Sequence, residues 1–185
     1  MRGGNFKIKL LIGGVIILFS FLRYCSQTDP NEYTGKKQHI SLSTEDEISL
    51  GLKSAPQMAQ EYGGLHPDQE AQALVDQVGY KLVNSSVARQ TPYHYEFHLL
   101  RDPQTVNAFA LPGGQVFITA GLFSRLNTED QLAGVLGHEI GHVVGRHSSE
   151  RIAKQNLTQG ILTGVLAGTD QGGAQMAAMV ANIVN

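Results

Sequence analysis

The chain has 185 residues, with 14 basic and 16 acidic side chains and 42% hydrophobic residues. A charge this close to balance excludes a broad polyanion-binding surface, so no nucleic-acid partner is expected, and the length suits one core-bearing domain. The single cysteine, Cys25, excludes an intrachain disulfide and a cysteine-based zinc centre.

Arg2, Lys7 and Lys9 precede an uncharged apolar run over residues 10–22. As a helix that run rises only about 20 Å, against roughly 30 Å of bilayer hydrocarbon. Phe6, Ile8, Tyr24 and Cys25 extend its apolar face, and Lys9 and Arg23 can snorkel. No small-x-small cleavage site follows, and Arg23 and Tyr24 argue against lipidation of Cys25. Residues 1–25 are therefore expected to form an uncleaved membrane anchor, the competing reading being a cleaved signal. Basic residues ahead of the run keep the N-terminus inside. That predicts a single-pass inner-membrane protein whose domain faces the periplasm or the cell exterior.

Residues 26–43 are polar and turn-rich and read as a linker; residues 44–185 are expected to form the domain. Thr44 with Glu47 has the spacing of a capping box and predicts a helix toward Tyr62, disturbed at Pro56 and closed by Gly63 and Gly64. A second amphipathic helix is predicted over residues 68–84, with Ala71, Leu74, Val75, Val78 and Leu82 on one face. Residues 93–102 alternate strictly, placing Tyr93, Tyr95, Phe97 and Leu99 on one side of a strand and His94, Glu96 and His98 on the other. That second face is expected to be a solvated sheet face, since no closing metal ligand lies nearby. Pro112, Gly113 and Gly114 make a turn before a second strand over residues 115–119. Thr128 and Gln131 make another capping box, opening a helix predicted to run from about Glu129 to Lys154. Beyond it, residues 157–185 are rich in Gly, Ala, Thr and Gln. There Gly160, Gly164 and Gly168 recur at a spacing suited to close helix packing or a mobile flap.

The predicted third helix carries His138-Glu139-Ile140-Gly141-His142, an HExxH pattern. Four residues apart on a helix, the two imidazoles lie about 40° apart around the axis and can reach one ion. Glu139 sits beside them, placed to take a proton from a metal-bound water and return it to a leaving amine. A catalytic zinc ordinarily has a third protein ligand. His147 is one residue short of the spacing that would supply it, and on a continuous helix falls about 160° from the midpoint of the pair, so it is expected to be structural. Glu150 lies too far along the same helix. Asp170 is the one later carboxylate, a weak candidate in a glycine-rich setting.

Residues 107–114 (NAFALPGG), then Gly121-Leu122, then residues 137–143 (GHEIGHV) with Arg146-His147, resemble metallopeptidase family forty-eight. These are the HtpX-like and BepA-like envelope zinc proteases, and the resemblance covers about residues 44–155. It implies an α+β, zincin-like (gluzincin) domain with a long HExxH helix and a small sheet. It implies Zn2+ held by His138 and His142, Glu139 as general base, and unfolded or misassembled polypeptides as substrates. It also implies that the strand over residues 115–119 lines the cleft, where an extended substrate adds by backbone pairing. The family's third ligand is a glutamate of an ExEAD-type motif, which these residues lack. The chain is thus expected to be a C-terminally truncated metalloendopeptidase; the alternative is a catalytically inactive, chaperone-like peptide-binding module.

Overall fold

A computed structural model describes residues 3–169 of the chain. The first elements are helix α1 (Gly3–Ser26), strands β1 (Thr28–Pro30) and β2 (Lys37–His39), and helices α2 (Thr44–Glu61) and α3 (Gln69–Ser85). Strands β3 (Glu96–Leu100), β4 (Ala108–Ala110) and β5 (Gln115–Thr119) follow. The short α4 (Ala120–Phe123), then α5 (Glu129–Val144) and α6 (His147–Gly168), complete the order. The elements divide between two compact units.

One unit takes α1, β1, β2 and α6 from Glu150 onward. Helix α1 extends well past the predicted apolar run: its Phe6–Ser26 portion has 21 residues, long and apolar enough to cross a membrane. Leu11 and Phe19 stand 68% and 66% exposed on it, which suits a lipid-facing surface. The glycine spacing on α6 serves close packing as expected: a Cβ on Gly164 would fall 2.5 Å from Ile17 Cγ1 of α1. Residues 26–43, read as a linker, hold an antiparallel pair in which Thr28 faces His39. Tyr24 stacks on that histidine with ring centroids 4.0 Å apart.

The other unit spans residues 31–36 and 42–149. Its sheet has the order β3-β5-β4, with β3 parallel and β4 antiparallel to β5. The β4–β5 turn works because Gly113 and Gly114 take φ of 81° and 106°, a region that penalises any Cβ. The strand expected over residues 93–102 is confined to Glu96–Leu100; Tyr93, Tyr95, Phe97 and Leu99 are buried as its alternation predicts, but Leu100 on the other face is fully buried too. On the opposite side His98 Nε2 donates to Gln115 Oε1 at 2.8 Å and the ring stacks on Phe117, a structural role. Val75 and Val78 of α3 and Leu132, Leu136 and Ile140 of α5 close the core over this face. Truncating the fully buried Leu136 to alanine should cost about 2–5 kcal/mol.

The start of α2 differs from the expected one. Its N-cap is Ser43, whose hydroxyl accepts from Asp46 N, and Asp46 completes the capping box. Glu47 is thereby released from capping and turns inward, 1% exposed. Helix α3 starts as predicted at Asp68, whose carboxylate accepts from the N–H groups of Glu70 and Ala71.

Candidate metal and catalytic centre

Helix α5 is fixed at both ends. At its start Thr128 accepts from Gln131 N, and Gln131 Oε1 accepts from Asn127 N at 2.6 Å. Such a cap is worth about 1 kcal/mol. At its end the buried Asn31 donates from Nδ2 to Val144 O at 2.9 Å, satisfying a carbonyl the helix leaves unpaired.

Between these ends, His138 Nε2 and His142 Nε2 lie 3.0 Å apart, with ring planes at 87°. Two imidazoles on a tetrahedral zinc, at about 2.0–2.1 Å each, hold their nitrogens roughly 3.3 Å apart. The pair therefore fits a zinc ion with a few tenths of an ångström of opening. Among the described residues no group of three or more His, Cys, Asp or Glu side chains converges in this way. Asp170 lies outside the described residues.

Glu139 is 9% exposed. Burial raises its carboxyl above the ordinary glutamate value, and the charges of His142 and His138 oppose that rise. It borders, with His138, an open cleft of about 630 Å³ whose walls include Val106, Ala108, Leu122, Leu126, Gly134 and Val135.

The cleft wall corrects the expectation for the strand over residues 115–119. Strand β5 is paired on both sides and has no edge to offer. The strand beside His138 and Glu139 is β4. Leu111 N donates to Gln115 O, and Thr119 N to Asn107 O, so odd-numbered residues of this strand pair inward. The main-chain groups of Ala108 and Ala110 then point away from β5. The opposite edge is filled: Gln72 donates from Nε2 to Phe97 O and accepts from Leu99 N at Oε1, like a strand of one residue.

His147 also departs from expectation. A continuous helix would carry it to the far side, but α5 stops at Val144 and α6 restarts at His147. Arg146 between them has φ of 52°. This bend brings His147 Nδ1 to 2.6 Å from His142 Nδ1, on the ring edge opposite the nitrogen that faces His138. His147 therefore adjoins the pair without sharing the point between the two Nε2 atoms.

The bend rests on a buried polar cluster. Arg146 donates from Nε to Glu47 at 3.0 and 3.2 Å and from Nη2 to Leu42 O at 2.9 Å. Tyr93 and Ser149 donate their hydroxyls to the same carboxylate. Burial and the bond to Glu47 push the Tyr93 phenol well above its ordinary value, with the Arg146 charge opposing. Sequence reasoning missed the role of Glu47. Its one local signal is Gly51, four residues on and buried, where a Cβ would meet Pro112 O at 1.9 Å; that marks a tightly packed face.

The Peptidase family M48 model matches residues 69–185. Mitochondrial metalloendopeptidase OMA1 of Schizosaccharomyces pombe is 31% identical over 132 residues, 70% of this chain and 36% of that protein. Beta-barrel assembly-enhancing protease of Yersinia pestis is 32% identical over 106 residues, 57% of this chain and 21% of its own. The Escherichia coli K12 protein of the same name is 38% identical over 66 residues, 36% of this chain and 13% of its own. The chain thus spans from about an eighth to about a third of the length of these curated relatives.

Proposed function

The chain belongs to peptidase family M48, and from that premise we propose that it is a zinc-dependent endopeptidase of the bacterial cell envelope. Its substrates are unfolded or misassembled polypeptides. The observation that carries this reading is the perpendicular His138–His142 pair with the buried Glu139 beside it, opening on one apolar cleft.

An extended chain pairs with the outward groups of Ala108 and the outward N–H of Ala110, whose carbonyl already accepts from Ser148 Oγ at 3.5 Å, placing its backbone along the cleft. Only an unfolded segment has its N–H and C=O groups free to do so, which favours unfolded over folded substrates. The pocket walled by Leu122, Leu126 and Val135 takes an apolar side chain next to the bond to be cut.

His138 and His142 hold the metal through Nε2. A zinc ion held there would supply the Lewis acidity that makes water a nucleophile near neutral pH. Glu139 removes the proton from the attacking water at its carboxylate and delivers it to the amine that leaves. Helix α1 anchors the protein in the inner membrane, with its basic N-terminal residues inside and the peptidase outside.

The test is cleavage of a permanently unfolded polypeptide, such as reduced and alkylated casein, by the full chain in detergent. Cleavage that a chelator stops, zinc restores and Glu139→Gln abolishes is expected. Cleavage undiminished in Glu139→Gln would sink the assignment of the general base.

A further inference from the structure

We propose that His147 is a positioning residue, which accepts a hydrogen bond from His142 Nδ1–H and so aims His142 Nε2 at the metal point shared with His138. The inference deepens the zinc reading above and rests on it. The geometry is direct: the two ring edges of His142 face different partners, His138 at Nε2 and His147 at Nδ1.

An imidazole that binds a metal through one nitrogen carries its proton on the other, and an acceptor there fixes both tautomer and ring orientation. Metal-bound histidines usually find a carboxylate or carbonyl for this purpose. In α5 the neighbouring backbone carbonyls are committed to the helix, so the acceptor must come from the next element. His147 arrives only because the chain turns sharply at Arg146, whose φ of 52° is unfavourable for a residue with a Cβ. The fork of Arg146 on Glu47, with its bond to Leu42 O, secures that turn from a helix about a hundred residues earlier in the chain. The acceptor role places the proton of His147 on Nε2.

The test uses the full chain in detergent, with His147→Ala and His147→Asn, whose side-chain oxygen can also accept from His142 Nδ1–H. Two quantities are read: the tautomer of His142 in the metal-free chain, from ring nitrogen shifts, and zinc affinity, by competition with a chromogenic chelator. The expected result is an Nδ1–H tautomer in the wild type, lost in His147→Ala together with about 10- to 100-fold of zinc affinity. His147→Asn should restore most of both. An unchanged tautomer and affinity in His147→Ala would overturn the proposal, as would a His147→Asn no better than alanine. A wild type that takes up no zinc would overturn the zinc reading itself. The tautomer would still decide whether His147 orients His142, and an Nε2–H wild type would contradict it.

Discussion

Arg146 Nε lies 3.0 Å from Glu47 Oε1, and the carboxylate it meets is 2% exposed. A pair so buried gains little over two well-packed apolar residues, but removing Arg146 leaves the Glu47 carboxylate with its hydroxyl donors and no counter-charge. Arg146→Ala should therefore destabilise the protein by about 3–5 kcal/mol in denaturant titrations. The double replacement Glu47→Leu with Arg146→Met should recover only part of that loss in stability, because it takes the acceptor from the buried hydroxyls of Tyr93 and Ser149. If the double variant is as unstable as the sum of the single ones, the two side chains do not act as a pair.

Alkaline stability follows from the tyrosines. Burial pushes Tyr95 up to about 12, and Tyr93 is raised as well. An unfolded tyrosine titrates near 10, so between about 10 and 12 the folded chain holds more protons than the unfolded one. The associated stability is complete below pH 10 and is lost as pH rises toward 12. Tyrosinate absorbance from Tyr95 should then appear together with loss of circular dichroism, and Tyr95→Phe should reduce that coupling to the share carried by Tyr93. Tyrosinate appearing well before unfolding would contradict it.

Gly134 offers a handle on substrate choice. It lines the cleft, and nothing lies within 4 Å of where its Cβ would be. Gly134→Leu should leave the fold intact and add up to about 1 kcal/mol of helix propensity. It narrows the pocket, so KM should rise for peptides with a large apolar residue there while small residues are still accepted. An equal effect on all peptides would place that side chain elsewhere.

The outer edge of β4 is tested with proline. In Ala110→Pro the N–H that points away from β5 is removed, and an edge strand tolerates proline. Peptide KM should rise with native circular dichroism retained. Wild-type KM would mean that substrates do not pair with this strand.

Local signals made much of this legible. The Thr128 cap, the period of α3 and the burial of alternate residues through Tyr93–Leu99 rest on neighbours in sequence, and the structure places each there. The metal-ligand spacing of His138 and His142 belongs to the same class, because one helical turn is enough to bring them together. What escaped was set by distant partners. The bend at Arg146 has a glycine beside it, Gly145, but that residue keeps a right-handed φ of -72° and the left-handed turn falls on Arg146, held by Glu47; the sequence around the glycine therefore predicts a continuous helix. The inner position of β5 arises because β3 joins it in parallel, a pairing that the β4–β5 turn alone does not reveal. Gln72 blocking the β3 edge is likewise a side chain standing in for a strand.

The most direct test is a zinc titration of the full chain in detergent, comparing the wild type with His138→Ala, His142→Ala and Glu139→Gln. One site per wild-type chain is expected, retained in Glu139→Gln because that side chain moves protons rather than binding metal. Either histidine variant should lose affinity by at least about 100-fold. Equal zinc binding by the wild type and His142→Ala would contradict it, and would move the metal away from the helix on which the whole reading rests.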